Sequence, residues 1–352
     1  MNGKIKEFLE TCVKEGVFPG AVWIIGTTDK TLEKGFTGVL GKGLEPAAQD
    51  SIYDLASLTK PFTALALLKQ FEDGLLRLED TVDYFLPNFK NIIVGKATVF
   101  SLMTHTSPVP GGISFWRYAK TRDDLIEAIR SGPARFASNE RVEYCCGGYI
   151  LLGEIISKID AVSLDNVIQN RVLEPLGMKE TCYKPGTDLV PRIAATSNCP
   201  LRKKISRGQV NDINAAVMGG ISGNAGLFST AGDLTHFAAA MLTSLEENAF
   251  LRKATAEMMI KNHTDGKGQN RGLGWVISGN WPRHTTDNKF GDLMSPRSFC
   301  HTGWTGTGLW IDPERKFYSL LLTNYVHSNN DINSINRARH IFNNLAVSEY
   351  GG

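Results

Sequence analysis

Apolar residues open the chain at helical spacing. Ile5, Phe8, Leu9, Cys12 and Val13 fall at i, i+3, i+4, i+7 and i+8, and Gly16 follows as a stop. Two β-branched, apolar runs come next, at residues 21–26 and 31–40, and Thr28-Asp29-Lys30 between them reads as a hairpin turn. Near the other end, residues 299–303, 308–311 and 317–325 read as three more strands. Asp312-Pro313-Glu314-Arg315 turns the chain between the last two. A closing helix carries Ile335, Ala338, Phe342 and Leu345 on one side.

The middle of the chain is mainly helical in pattern. After Ser57, Leu65, Ala66, Leu67, Leu68 and Phe71 leave no polar face before Asp73-Gly74, and a helix without a polar face is buried. Pro61 suits a first turn, which sets the helix start near Ser57. The pattern predicts an α/β fold of the α+β kind, with one antiparallel sheet built from both termini and covered by the terminal helices. Residues 1–60 and 260–352 would form the sheet lobe and residues 61–259 a mostly helical insertion, with any site at the seam.

Composition narrows the function. Hydrophobic residues at 42% and charged residues at 21% are those of an ordinary water-soluble globular chain of 352 residues. Net charge is +2, and the longest basic run, Arg202-Lys203-Lys204, reads as a solvated loop, so no nucleic-acid partner is expected. No apolar stretch approaches the roughly 20 residues that span a bilayer, so no membrane partner is expected either. An amphipathic helix occupies the place of a signal peptide, which predicts a cytoplasmic protein. The six cysteines are scattered and the seven histidines show no paired spacing, so we expect neither a metal nor another cofactor.

Candidate chemistry begins at Ser57-Leu58-Thr59-Lys60. Residues i and i+3 share a helical face, so the Lys60 amine can reach the Ser57 hydroxyl. A helix N-terminus also favours an oxyanion. Alone, this pair occurs by chance in many helices. Two distant segments add to it: Arg141-Val142-Glu143-Tyr144-Cys145-Cys146 and His301-Thr302-Gly303-Trp304. In the order S-x-x-K, Y-x-x, [K/H]-T-G, these motifs resemble the serine β-lactamase and penicillin-binding-protein superfamily. The likeness is nearest the class C β-lactamase branch and its carboxylesterase relatives. Leu102-Met103-Thr104-His105-Thr106-Ser107, Pro175-Leu176-Gly177-Met178 and Gly226-Leu227-Phe228-Ser229-Thr230 agree with it, and the likeness runs over roughly residues 15–345.

The resemblance implies that Ser57 forms an acyl-enzyme, with Tyr144 relaying the proton to the leaving group. Lys60 either takes the serine proton itself, which needs its pKa lowered by roughly 3 units, or stays charged and supports a Tyr144 phenolate. The N–H groups of Ser57 and Trp304 would form the oxyanion hole. Thr302 and Gly303 would lie beside the substrate, on an edge strand whose glycine leaves room for it.

Two positions depart from the pattern. His301 stands where family members that bind anionic substrates often have lysine, which weakens the case for an anionic substrate. Alternatively, His301 simply bonds Tyr144 or the backbone. Cys146 stands where an asparagine amide usually contacts the substrate, and a thiol donates weakly. We therefore expect a serine hydrolase acting on small carboxylic esters. A β-lactamase or D-amino-acid peptidase, and a binding protein that has lost turnover, are the alternatives. The small-residue loop of residues 219–226 would floor the cleft. Trp116, Tyr118 and Trp310 are candidates to line the pocket, but large aromatics are core by default.

Overall fold

The computed structural model describes residues 3–134, 136–279, 289–328 and 331–351. The chain first forms β1 (Gly20–Gly26), β2 (Thr31–Gly38) and β3 (Ile52–Asp54). Four short strands lie in its middle, β4 (Cys182–Tyr183), β5 (Asn198–Cys199), β6 (Lys204–Ile205) and β7 (Leu227–Thr230). The last four are β8 (Val276–Ile277), β9 (Phe299–Thr302), β10 (Gly308–Asp312) and β11 (Phe317–Thr323). Six of these make one antiparallel sheet in the order β2-β1-β11-β10-β9-β8. The expected sheet from both termini is present, with Ala21 opposite Thr323 and Gly308 opposite both Leu321 and Thr302.

Strand β1 is buried along its whole length because helices cover both faces of the sheet. Trp23 and Ile25 point into a core with Ile5, Leu9, Trp310 and Phe342, under the helices Lys4–Lys14 and Ile332–Tyr350. Val22 and Ile24 alternate to the opposite side and join a larger core with Phe62 and Phe237. The terminal helices therefore cover only one face. The other is closed by Ala231–Glu246, a helix from the middle of the chain.

The helix Thr59–Glu72 is buried on all sides, as its composition predicts, and packs against the helix Cys146–Asp160. Its start lies near Ser57, as expected: Ser57 sits in a 3₁₀ turn, Ala56–Leu58, that runs directly into the helix. A second antiparallel sheet, β3-β7-β4, leads into that turn, and the sequence pattern did not show it. Among the described residues, no helix is long and apolar enough to cross a membrane.

Candidate active site

The turn that carries Ser57 is strained and held from two sides. Ala56 has φ 47°, a left-handed conformation that a residue with a Cβ adopts at a cost. The Ala56 N–H donates to Asp54 Oδ1 at 2.8 Å, and Asn211 N–H donates to Asp54 Oδ2 at 2.6 Å. Burial pushes the Asp54 carboxyl up to about 6 despite those two donors, and Asp212 nearby adds to the rise. From the sheet side, Thr305 donates to the Asp54 carbonyl at 2.6 Å and Thr307 to the Leu55 carbonyl at 3.0 Å. Gly303 makes this approach possible. A Cβ there would lie 2.1 Å from Thr307 Oγ1 and 2.3 Å from the Leu55 carbonyl oxygen. The chain itself fills the space that the sequence reading reserved for a substrate.

One turn after Ser57, Lys60 is fully buried. Its Nζ lies 2.9 Å from Ser57 Oγ, 3.0 Å from the Asn224 carbonyl and 3.8 Å from Cys146 Sγ. Three acceptors match the three N–H bonds of an ammonium. Burial alone disfavours the charged form of Lys60. Cys146 and Tyr144, the ionisable groups that face the amine, pull the other way and leave it on the upward side of the ordinary lysine range. The floor is the expected small-residue loop, where Asn224 is fixed by Ser222 at 2.7 Å and donates to Asp212 at 3.2 Å.

Tyr144 lies over this amine, its ring centroid 5.0 Å from Lys60 Nζ and 4.5 Å from the ring of His105. His105 Nδ1 accepts the Cys145 N–H at 3.2 Å, which fixes the backbone just after Tyr144. Burial, with Arg271 and Lys60 adding to it, holds His105 well below the ordinary histidine range, so this nitrogen remains an acceptor. Cys145 and Cys146 are both free thiols, and Cys145 Sγ faces the Pro110 carbonyl at 3.2 Å. Burial also raises the Cys146 thiol, so a neutral SH sits beside the amine.

His301 is buried on β9, and its Nδ1 donates to the Thr302 carbonyl at 3.0 Å. That bond leaves Nε2 as a bare acceptor with no partner. Burial first, then Lys60 and Arg271, hold the ring well below its usual range and neutral. Strand β8 pairs with Phe299 and Cys300, so among the described residues no strand covers the β9 edge at His301 and Thr302. Trp304 follows, 55% exposed, at the mouth of the cleft.

The cleft has two halves that share Tyr144 and Trp304. One, about 330 Å3, contains Ser57, His301, Gln269 and Arg271. The other, about 540 Å3, is lined by Ile113, Phe115, Trp116, Cys146 and Asp212. All of Ser57, Lys60, Tyr144, Cys146, His301, Thr302, Gly303 and Trp304 thus gather at one place. Sequence reasoning assigned no role to Asn224, Asp212, His105 or Arg271, and Trp116, for which it preferred the core, lines the cleft. Trp310 is core, its Nε1 donating to the Lys289 carbonyl at 2.6 Å. Among the described residues no group of His, Cys, Asp or Glu is arranged to hold a metal ion.

Known proteins resemble this chain in sequence or in fold. A Salmonella heidelberg protein named "Putative D-alanyl-D-alanine carboxypeptidase" is 31% identical over 313 residues, covering 80% of this chain and 71% of its own length. EstCE1, described as a hydrolase with promiscuous acyltransferase activity, superposes with a TM-score of 0.75 at 17% identity, over 96% of this chain and 97% of its own. A class C β-lactamase from Rhodobacter sphaeroides superposes with a TM-score of 0.74 at 18% identity, over 99% of each chain. At such identities the two structures speak for the fold alone. The Beta-lactamase family model matches residues 5–343. On that match, the chain belongs to the beta-lactamase family of serine hydrolases.

Proposed function

We propose that the protein forms an acyl-enzyme on Ser57 and cleaves small carboxylic esters. The observation that carries this reading is the 2.9 Å approach of a fully buried Lys60 Nζ to Ser57 Oγ. Ser57 Oγ attacks the ester carbonyl, and its proton passes into the Lys60–Tyr144 pair. The oxyanion is met by the N–H groups of Ser57 and Trp304. Tyr144 returns the proton to the departing alkoxide, and water then hydrolyses the acyl-enzyme with the same pair as base. Thr302 presents the open β9 edge to the bound substrate, while Gly303 acts by letting Leu55 and Thr307 close behind the nucleophile.

Ester rather than amide cleavage is supported by Cys146, whose neutral thiol offers little to an amide carbonyl, and by the neutral His301. A second reading, cleavage of a D-alanyl-D-alanine bond, draws on the name of the Salmonella relative. Six free cysteines, two of them adjacent, support a reducing compartment such as the cytoplasm. Hydrolysis of a short p-nitrophenyl ester beside a chromogenic cephalosporin, in wild type and Ser57→Ala, tests the assignment. Ester turnover abolished by Ser57→Ala supports it. A better rate on the cephalosporin rejects the ester preference, and no turnover of either rejects the reading.

A further inference from the structure

Among the described residues, the half of the cleft that holds Ser57 contains a buried arginine with no carboxylate partner. Arg271 is 6% exposed, and among the described residues the ionisable groups that act on it are Tyr144, Tyr149 and Cys300, with no Asp or Glu. Its Nη2 donates to Gln269 Oε1 at 2.5 Å, while its buried Nε has no partner. Other arginines of this chain are paired: Arg171 with Asp160 and Asp73, Arg192 with Asp50 and Glu180. Arg339, also buried in this half, likewise has an unpartnered Nε, but its Nη2 donates to the carbonyls of Gly303 and Thr307 and its Nη1 to Asn336, so it is held as part of the fold. Among the described residues no carboxylate lines the Arg271 half, whereas Asp212 lines the other.

An unpaired guanidinium taken out of water is costly, and a neutral amide oxygen offsets little of that cost. Arg271 cannot shed its proton as a lysine can. Nε shares an edge of the planar fork with Nη2, the edge that grips both oxygens of a carboxylate. Gln269 lines the same cleft and occupies the place on Nη2 that one carboxylate oxygen would take. The Tyr144 ring lies 5.5 Å from the guanidinium carbon, so an anion bound there stands beside the proton relay.

We propose that Arg271, backed by Gln269, is a specificity-determining residue that binds a carboxylate carried by the ester substrate. This rests on the hydrolase reading of Ser57 and reverses the expectation drawn from His301 alone. The anion is held by a guanidinium from the loop before β8 rather than by the third residue of the motif set. The substrate is then a half-ester of a dicarboxylic acid or an ester of a hydroxy acid, and its carboxylate is unchanged by the reaction.

Two matched pairs of esters test it: mono-p-nitrophenyl succinate against p-nitrophenyl butyrate, and 3-acetoxybenzoate against phenyl acetate. The first places the carboxylate on the acyl side, the second on the leaving group. In at least one pair, the anionic-to-neutral ratio of kcat/KM should fall about tenfold or more in Arg271→Gln and only partly in Arg271→Lys. The ratio cancels any loss common to both esters. Unchanged ratios in both pairs overturn the proposal. If Arg271→Gln does not fold, wild type decides: benzoate should inhibit neutral-ester hydrolysis at least tenfold more strongly than benzyl alcohol, and equal inhibition overturns the proposal. If no ester is turned over, the hydrolase reading fails separately. Calorimetry of benzoate with wild type and Arg271→Lys then tests the anion site: weaker binding in the variant supports it, and no binding to wild type overturns it.

Discussion

Lys60 Nζ stands 2.9 Å from Ser57 Oγ, and the same amine is tied to Asn224 from the far side of the cleft. Neither residue could keep this geometry alone, because a free lysine side chain samples many rotamers. The contact also separates catalysis from stability. Lys60→Met removes a buried charge and keeps the stem, so the thermal midpoint should hold or rise while kcat/KM falls about a thousandfold or more. Activity within tenfold of wild type would remove Lys60 from the mechanism.

Tyr144→Phe keeps a ring stacked on His105 and beneath two cations while deleting the hydroxyl. A fall in kcat of about 10²–10⁴ with little change in KM is expected for a lost proton relay. If KM rises instead while kcat holds, Tyr144 is a binding surface only.

At Gly303 a methyl group has nowhere to go but into Leu55 and Thr307. Gly303→Ala should cost about 1–3 kcal/mol of stability and displace the turn carrying Ser57, so kcat drops as well. Chemical denaturation and ester turnover read the two effects. A stable, fully active alanine variant would show that the turn tolerates a different position.

Stability should carry the signature of Asp54. Its native carboxyl titrates at about 6, above the 3.9 of an unfolded aspartate, so the folded chain prefers the protonated form. The contribution is fully present below about pH 4 and is lost as pH rises through 6, a swing of ~3 kcal/mol. Asp54→Asn cannot titrate. The difference in melting temperature, wild type minus variant, should therefore shrink between pH 4 and 7.5. A constant or growing difference counts against the assignment.

Cys146→Asn puts an amide donor where the neutral thiol sits. The ratio of cephalosporin to ester turnover should rise severalfold or more, since an amide donates to a carbonyl and a thiol barely does. An unchanged ratio would mean that position 146 acts through Lys60 and not on the substrate.

Much of this fold was readable in the sequence because its large elements repeat their pattern. The terminal strands, the amphipathic first helix and the all-apolar helix after Ser57 each extend over several residues of consistent spacing. What stayed hidden was short or solitary. Val276 and Ile277 form a strand of two residues, and β3, β7 and β4 are held by pairing across the chain, so none has a period to detect. The serine, lysine and tyrosine were visible only because three motifs came in order. Arg271, between Asn270 and Gly272, looks like any surface arginine, and its burial follows from packing alone. The fixing of Lys60 by Asn224 spans 164 residues, beyond any local rule.

The bond from Arg339 to the carbonyls of Gly303 and Thr307 has a consequence for synthesis on the ribosome. Thr307 fixes Leu55, two residues before the nucleophile, so the geometry of Ser57 depends on a side chain made almost three hundred residues later. A nascent chain can complete the buried helix after Ser57 and still lack a seated nucleophile. On the proposed role of Ser57, the nucleophile is seated only after the helix Ile332–Tyr350 has docked, so activity should appear late in folding.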